Sequence, residues 1–412
     1  MNEKPMPHVM ATYKRLPVRF VSGSGCRLVD DDGLEYLDFL SGIAVTSLGH
    51  AHPAVTAALA EQAATLLHVS NYFDHEHLEH VASLLDNLIG DGTDLSGQVF
   101  FANSGAEANE CALKLARRFG GPGRHEVVSG FGSFHGRTLA TLHATGQPAK
   151  HEAFAPLPEG FRHVAYGDLD ALAAAADPAR VAAVLLEPIE GEAGVIDPPA
   201  GYLRAVRKLC DERGMLLILD EVQTGLARTG RWFAFQHEGI LPDVVTMAKA
   251  LGNGMPVGAC WARPEVAACF EPGDHGSTFG GQPLALSAVR ATLETMVAID
   301  APALARTRGE QLRLGLAALP GVDRVRGRGL LIGVVLEEGI DSHALVDAAL
   351  RAGLVINAPA PGVIRLAPPI VVSAEECDEA IGVLGGLLQA AVDQRSDGGA
   401  DVGLGTGIGA LR

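Results

Sequence analysis

Lysine is scarce in this chain: only six of its 32 basic residues are lysine, and 49 acidic residues outnumber the basic ones. The resulting formal charge of −17 provides no overall basic surface for a phosphate backbone, so a nucleic-acid partner is not expected. Long apolar runs are missing as well. No segment reaches the roughly eighteen consecutive apolar residues of a membrane span. The opening MNEKPMPHVMATYKRLP has no apolar core of signal-peptide length, and a cytoplasmic protein without a membrane partner is expected. The six cysteines, at 26, 111, 210, 260, 269 and 377, include no Cys-x-x-Cys pair, which suits reduced thiols and gives none of them a catalytic role. There is no Gly-Lys-Ser or Gly-Lys-Thr, no dinucleotide-type glycine spacing and no Gly-x-Ser-x-Gly elbow. The signatures of nucleotide hydrolysis, nicotinamide chemistry and a serine hydrolase are therefore absent.

What is present suffices for a large globular protein. At 412 residues and 48% hydrophobic content, the chain can bury two cores. VRFVSGSGCRLVDDDGLEYLDFL, over residues 18–40, alternates apolar and polar positions about Gly23-Ser24-Gly25 and Asp31-Asp32-Gly33, which predicts short antiparallel strands. From Pro53 to about Phe270, the apolar runs QVFFAN, HEVVSGF, VAAVLLEP, MLLILDE, DVVTMAK and GACWA alternate with helix-length segments. That is the pattern of a mostly parallel sheet covered by helices on both faces. Residues 284–318 predict a long helical region, after which RVRGRGLLIGVVL, AGLVIN and GVIRLAPP read as strands. The expected architecture is α/β, with a large domain over 53–283 and a smaller α+β domain built from both chain ends, 1–52 and 284–393. A disordered Gly-rich tail is expected over 394–412.

Two of the apolar runs end in reactive groups. Met215 to Leu219 is too short for a typical helix and delivers Asp220 at a strand's carboxyl end, where open α/β sheets bind ligands. Val244 to Met247 leads in the same way to Lys249, held between Ala248 and Ala250. An apolar setting lowers a lysine's pKa and frees its amine to attack carbonyls. Taken alone, Lys249 reads more simply as a snorkelling or ion-paired side chain. With Asp220 the balance changes, because an amine for an imine and a carboxylate for a pyridinium nitrogen are the pair that a pyridoxal phosphate site needs.

FFANSGAEANECALKLARRF, from Phe100 to Phe119, predicts a strand end, a turn at Ser104-Gly105-Ala106 and a helix with apolar residues at 108, 111, 112, 115, 116 and 119. Such a helix start can bind an anion, although a capping box between Ser104 and Glu107 fits the same spacing. FGSFHGRT puts Phe134 where it can stack on a planar ligand and Arg137 where it can bind a carboxylate, or leaves both on a solvated loop. EPIEGEAG, from Glu187 to Gly194, ends a strand with three carboxylates. The run DHEHLEH at 74–80 reads as a polar helix start capped by Asp74, and no metal site is expected.

In this order the segments resemble the class III pyridoxal-phosphate aminotransferases of fold type I, and among them the acetylornithine aminotransferases, over roughly Tyr13 to Leu388. The resemblance rests on YLDFLSGIAVTSLGHAHP, FFANSGAEANECALKLAR, SFHGRT, EPIEGEAG, LDEVQTGLARTG, MAKALGNGMPVGA, HGSTFGGQPLA and IRLAPP. It implies that Lys249 bonds covalently to pyridoxal 5'-phosphate and shuttles the substrate proton, while Asp220 pairs with the ring nitrogen. It further implies that Gln223 bonds the phenolic oxygen and that Phe134 and Val222 flank the ring. Ser104, Gly105 and Ala106 would hold the phosphate, completed by Thr278 from the other subunit of a homodimer. Arg137, helped by Tyr13, would take a substrate carboxylate. Arg365 would take that of glutamate or 2-oxoglutarate and pair with Glu192 when idle. Gln282 stands where asparagine is usual and Ala227 where glycine is, which puts local loop shapes in question. Ile43 stands where ornithine aminotransferases resemble one another in having tyrosine, which favours an N-acylated donor. The implied reaction moves the δ-amino group of N2-acetylornithine to 2-oxoglutarate, in arginine biosynthesis. Ornithine, succinylornithine, succinyldiaminopimelate and 4-aminobutyrate are the alternative donors. A non-catalytic cofactor-binding or regulatory protein is the alternative class, against which intact Lys249, Asp220 and Arg137 stand.

Overall fold

The alternating N-terminal stretch folds as strands β1 (Phe20–Ser24), β2 (Arg27–Asp30) and β3 (Glu35–Asp38), paired antiparallel in sequence order. Asp30 closes the β2–β3 turn: its Oδ1 accepts from the Asp32 and Leu34 amides at 3.0 and 2.9 Å, and its Oδ2 from the Tyr36 hydroxyl at 2.8 Å. The computed structural model describes residues 8–93 and 96–398.

The large domain is built on β4 (Gln98–Ala102), β5 (Glu126–Phe131), β6 (Phe161–Ala165), β7 (Val181–Leu186), β8 (Leu216–Asp220), β9 (Val244–Met247) and β10 (Gly258–Ala262). Their order in the sheet is β4-β10-β9-β8-β7-β5-β6. β10 runs antiparallel to β4 and β9, and the other pairings are parallel. Every residue of β7, β8, β9 and β10 is buried, so these strands show near-continuous apolar runs, interrupted by Thr246 and ended by Asp220, and no alternation. β6 was not expected; FRHVA is half-buried at the sheet edge and lacks such a run.

The remaining strands are β11 (Val322–Arg328), β12 (Leu331–Leu336), β13 (Leu354–Val355), β14 (Asn357–Ala360) and β15 (Val363–Leu366). Four of them form a sheet in the order β11-β12-β15-β14, while β13 pairs parallel with β3 through Leu354 and Leu37. The chain ends are thus joined as expected, and the Ile370 amide donating to Ser47 O at 2.7 Å adds a further tie.

Four expectations need correction. The helical region is two helices, Pro283–Ala298 and Ala301–Ala317, divided at Asp300, whose left-handed φ of 48° turns the chain while its carboxylate caps the second helix. The last helix, Ala374–Gly398, takes in residues 394–398 of the expected tail, because Leu384 and Leu388 bury one face and Arg395 pairs with Glu337 at 3.3 Å. Residues 399–412 lie outside those described. Asp74 does not cap the helix His77–Gly90: its carboxylate accepts from the adjacent His75 amide, and the cap residue is Glu76. His77 and His80 of that run turn to Gln62 and Glu294 at 2.8 and 3.0 Å. The capping box forms only in part, since Ser104 Oγ accepts from the Glu107 amide at 3.2 Å while Glu107 reaches back to the Asn103 amide at 2.7 Å. Among the described residues no helix is long and apolar enough to cross a membrane.

Candidate active site

A cavity of about 390 Å³ opens at the carboxyl ends of β5, β7, β8 and β9, beside the start of the helix Gly105–Gly120. Ten of the expected residues line it: Ser104, Gly105, Ala106, Phe134, Arg137, Glu192, Asp220, Val222, Gln223 and Lys249. Parallel strands aim their ends at one face of the sheet, so groups distant in sequence converge there.

The helix start is shaped for an anion. Ser104 spends its hydroxyl on Glu107, and the Ala108 amide donates to Ser104 O, leaving the Gly105 and Ala106 amides without a partner among the described residues. At Gly105 a Cβ would lie 2.9 Å from Val222 Cγ2, so the backbone approaches that wall as only glycine allows. A positive dipole end with free N–H groups favours a bound phosphate.

Asp220 is locked in place. Its Oδ2 accepts from Asn109 Nδ2 at 2.7 Å and from His135 Nδ1 at 2.8 Å, and its Oδ1 from the Val222 amide at 3.1 Å. Asn109 is itself held by Thr246 Oγ1, which donates to it at 2.7 Å, and by His135 O, which accepts from it at 2.8 Å. Beside this network Glu187 accepts from the Phe134 amide at 2.8 Å, and burial pushes its carboxyl up to about 8.

Lys249 follows β9 in a left-handed conformation, with φ of 46°. Such backbone costs about 1–3 kcal/mol outside glycine and clusters at working sites. Burial holds its amine below the usual lysine range; Glu192 opposes this and Arg365 reinforces it. Its Nζ makes no hydrogen bond or ion pair among the described residues, which leaves the amine open to the cavity.

Arg365, on β15, reaches the same place from the small domain. Its Nη1 donates to Glu192 Oε1 at 2.6 Å and to Gln223 Oε1 at 3.1 Å, and its Nε to Asn357 Oδ1 at 3.2 Å. Its Nη2 is buried with no hydrogen-bond partner among the described residues. Burial raises the Glu192 pKa, but the charge and hydrogen bond of Arg365 outweigh it and hold the carboxyl below the usual range. Gln223 packs so closely that a Cβ on Gly191 would lie 2.2 Å from its Oε1. Arg137 sits exposed at the cavity wall, its guanidinium 5.5 Å from the centre of the Phe134 ring.

Tyr13 and Thr278 do not join them. Tyr13 is 75% exposed under Arg15, and Thr278 is exposed on a loop, so neither lines the cavity of this chain. Val45 forms part of the wall and Ile43 does not. Gln282 bonds the Val69 amide at 2.9 Å, and Ala227 takes the left-handed φ of 70° that favours the usual glycine. Sequence reasoning gave no role to Asn109, His135 or Thr246. The available signal was polarity on an apolar face: Asn109 stands between Ala108 and Cys111 and is 1% exposed.

An amine of lowered pKa, a buried carboxylate, an anion seat and a flanking aromatic on one cavity wall are the donor set that pyridoxal phosphate requires, on an α/β fold of type I. The chain belongs to the class-III aminotransferase family, whose model matches residues 9–388. Enzymes of this family depend on pyridoxal phosphate. The chain is 48% identical to an acetylornithine aminotransferase of Corynebacterium efficiens, over 92% of this chain and 94% of that one. It is 49% identical to another from Gloeobacter violaceus, over 92% and 95%. Among solved structures, an ornithine aminotransferase from Toxoplasma gondii aligns with a TM-score of 0.89 at 34% identity, covering 94% of both chains. An N-acetylornithine aminotransferase from Stenotrophomonas maltophilia aligns at 0.80 with 35% identity, covering 92% of this chain and 97% of that one.

Proposed function

We propose that this enzyme transfers the δ-amino group of N2-acetylornithine to 2-oxoglutarate, giving N-acetylglutamate 5-semialdehyde and glutamate. The names of the relatives support the donor. The observation that carries the two-substrate logic is the buried Nη2 of Arg365, without a partner among the described residues, beside the 2.6 Å pair of Arg365 with Glu192. Glutamate and 2-oxoglutarate carry a carboxylate beside the reacting carbon, whereas the δ-carbon of acetylornithine carries none. An arginine needed in one half-reaction therefore needs a substitute partner in the other, and Glu192 is placed to provide it.

In this reading pyridoxal phosphate, when bound, supplies an electrophilic carbon and an electron-accepting ring. Lys249 would provide the covalent attachment, take the proton from the donor's reacting carbon in one half-reaction and supply one to the acceptor's carbon in the other. Asp220, oriented by Asn109 and His135, balances the positive ring nitrogen, and Gln223 bonds the phenolic oxygen. Phe134 and Val222 confine the ring, while Ser104, Gly105 and Ala106 seat the phosphate. Arg137, aided by Tyr13, binds the substrate carboxylate remote from the δ-amine.

The enzyme works as a homodimer in which Thr278 completes the partner's phosphate seat. The exposed surface near Thr278 supports this, since Tyr72, Phe73 and Phe279 are 93, 65 and 67% exposed. A cytoplasmic location accords with its six free thiols. The test is a screen of amine donors in single half-reactions, following the visible absorbance of the bound cofactor. N2-acetylornithine should bleach it fastest. Faster bleaching by ornithine or 4-aminobutyrate would overturn the donor, and none by any amine would overturn the enzyme.

A further inference from the structure

A second cavity, also of about 390 Å³, lies between the helix Ala301–Ala317, the β11–β12 turn and the segment from Thr229 to His237. It shares no lining residue with the first. Four arginines, Arg306, Arg313, Arg326 and Arg328, face it against one lining carboxylate, Glu310, in a chain whose formal charge is −17. The nearby carboxylates are already engaged: Glu310 with Arg313 at 2.6 Å, Asp197 with Arg328 at 3.3 Å, and Glu238 with Arg204 at 3.2 Å. Two of the arginines, Arg306 and Arg326, make no ion pair among the described residues, although Asp197 attracts Arg326 from further off. Arg306 donates to Gly230 O at 2.7 Å, and Arg326 donates to Gly194 O at 2.9 and 2.6 Å, so both end on neutral carbonyls. His237 adds no opposing charge, and burial together with Arg328 holds its pKa below the usual range.

The shape narrows the ligand. The volume falls within the usual span for small-molecule sites, about 300–1,000 Å³. No phenylalanine, tyrosine or tryptophan lines it and guanidinium groups dominate the wall, which favours an anionic ligand over an apolar one. Guanidinium groups bind carboxylate and phosphate oxygens in pairs.

A hydrogen bond ties one wall of this cavity to the loop that serves the catalytic one. Gly194, the acceptor of Arg326, ends the loop that carries Glu192, and a Cβ there would lie 2.8 Å from Arg326 Nη2. Across the small-domain sheet Arg326 stands opposite Gly333, and Gly333 opposite Arg365. We propose that this cleft binds a compact polyanion, with two or more carboxylate or phosphate groups, through Arg306 and Arg326. Its occupancy loosens the hold of Arg326 on Gly194 and so eases Glu192 away from Arg365. The coupling rests on the switch described under Proposed function; the binding does not.

The test is calorimetric titration of the cofactor-loaded enzyme with citrate and, separately, with inorganic phosphate, which distinguishes the two ligand chemistries. At least one should bind saturably, and Arg306→Gln, an exposed position outside the catalytic cavity, should weaken it by about tenfold or more with the fold intact by circular dichroism. The same ligand should lower the KM for 2-oxoglutarate severalfold, and Arg326→Gln should abolish that effect. No saturable binding by either anion, or equal affinity in Arg306→Gln, overturns the site. Saturable binding with an unchanged KM overturns the coupling.

Discussion

At one end of the catalytic cavity the Asp220 side chain is 4% exposed and accepts three hydrogen bonds; at the other the Glu192 side chain is 31% exposed and leans on a fully buried Arg365. Asp220 belongs to a chain of contacts running through Asn109 to Thr246 on β9, so moving it would break several buried bonds at once. Glu192 bonds Arg365 and, more weakly, Gln223, and part of its side chain reaches solvent. Under the proposed mechanism, the carboxylate whose task is constant through both half-reactions is held by a closed network, and the one whose task alternates is left able to leave. The cost of leaving falls on the arginine, since an unpaired buried charge costs about 3–5 kcal/mol unless a substrate carboxylate replaces the lost partner.

Breaking the fixed end should damage both half-reactions alike. The largest effect is expected for Lys249→Ala, which should retain fold and some cofactor yet lose turnover by about two to four orders of magnitude or more, read by steady-state rates beside circular dichroism. Asp220→Asn keeps the shape but removes the charge. It should slow the two half-reactions by a similar factor, about 10²–10³, in single-turnover measurements, and a loss confined to one half would break the comparison. Thr278→Ala, assigned to the same end because the phosphate stays bound throughout, should weaken cofactor retention about tenfold and loosen the dimer with it. Ultracentrifugation with and without cofactor checks this, and unaltered retention would remove Thr278 from the site.

The smallest effect sharpens the movable end. Glu190 lies two residues before Glu192; it is 1% exposed, its Oε1 has no partner among the described residues, and burial pushes its carboxyl up to about 8. A carboxyl whose folded pKa is raised keeps its proton in the folded state after the unfolded chain has lost it. Stability therefore falls as pH rises from the ordinary carboxylate range toward about 8. Glu190→Gln should flatten that decline, raising Tm at alkaline pH while changing it little near pH 5 in parallel melts of both proteins. An unchanged slope would show that Glu190 does not titrate in this window.

Much of this was legible before any coordinates. Asp220 and Lys249 could be found because buried parallel strands leave near-continuous apolar runs, and a charge at the end of such a run stands out. The helix start at Ser104 was legible from turn and cap chemistry, though Glu107 bonds one residue further back than the simple box. Arg365 and Glu192 came from family resemblance, since an arginine 142 residues beyond Gln223 carries no local sign that the two bond at 3.1 Å. Asn109, His135 and Thr246 stayed hidden because their value lies in mutual distance, which spacing along a chain does not reveal. The left-handed φ of Lys249 was equally invisible, because no glycine marks it. Tyr13 and Thr278 lie outside the cavity of this chain; the role of Thr278 is proposed across a subunit boundary, and that of Tyr13, beside Arg137, came from family resemblance alone.

The most direct test of the fixed and movable ends is single-turnover kinetics on Arg365→Ala and Glu192→Ala, with acetylornithine and 2-oxoglutarate examined separately. Arg365→Ala should slow the 2-oxoglutarate half-reaction by the equivalent of about 2–5 kcal/mol and largely spare the acetylornithine half. Glu192→Ala should do the reverse, leaving Arg365 open and favouring glutamate and 2-oxoglutarate. Equal slowing of both halves by both substitutions would make the pair a fixed structural bridge and contradict the switch.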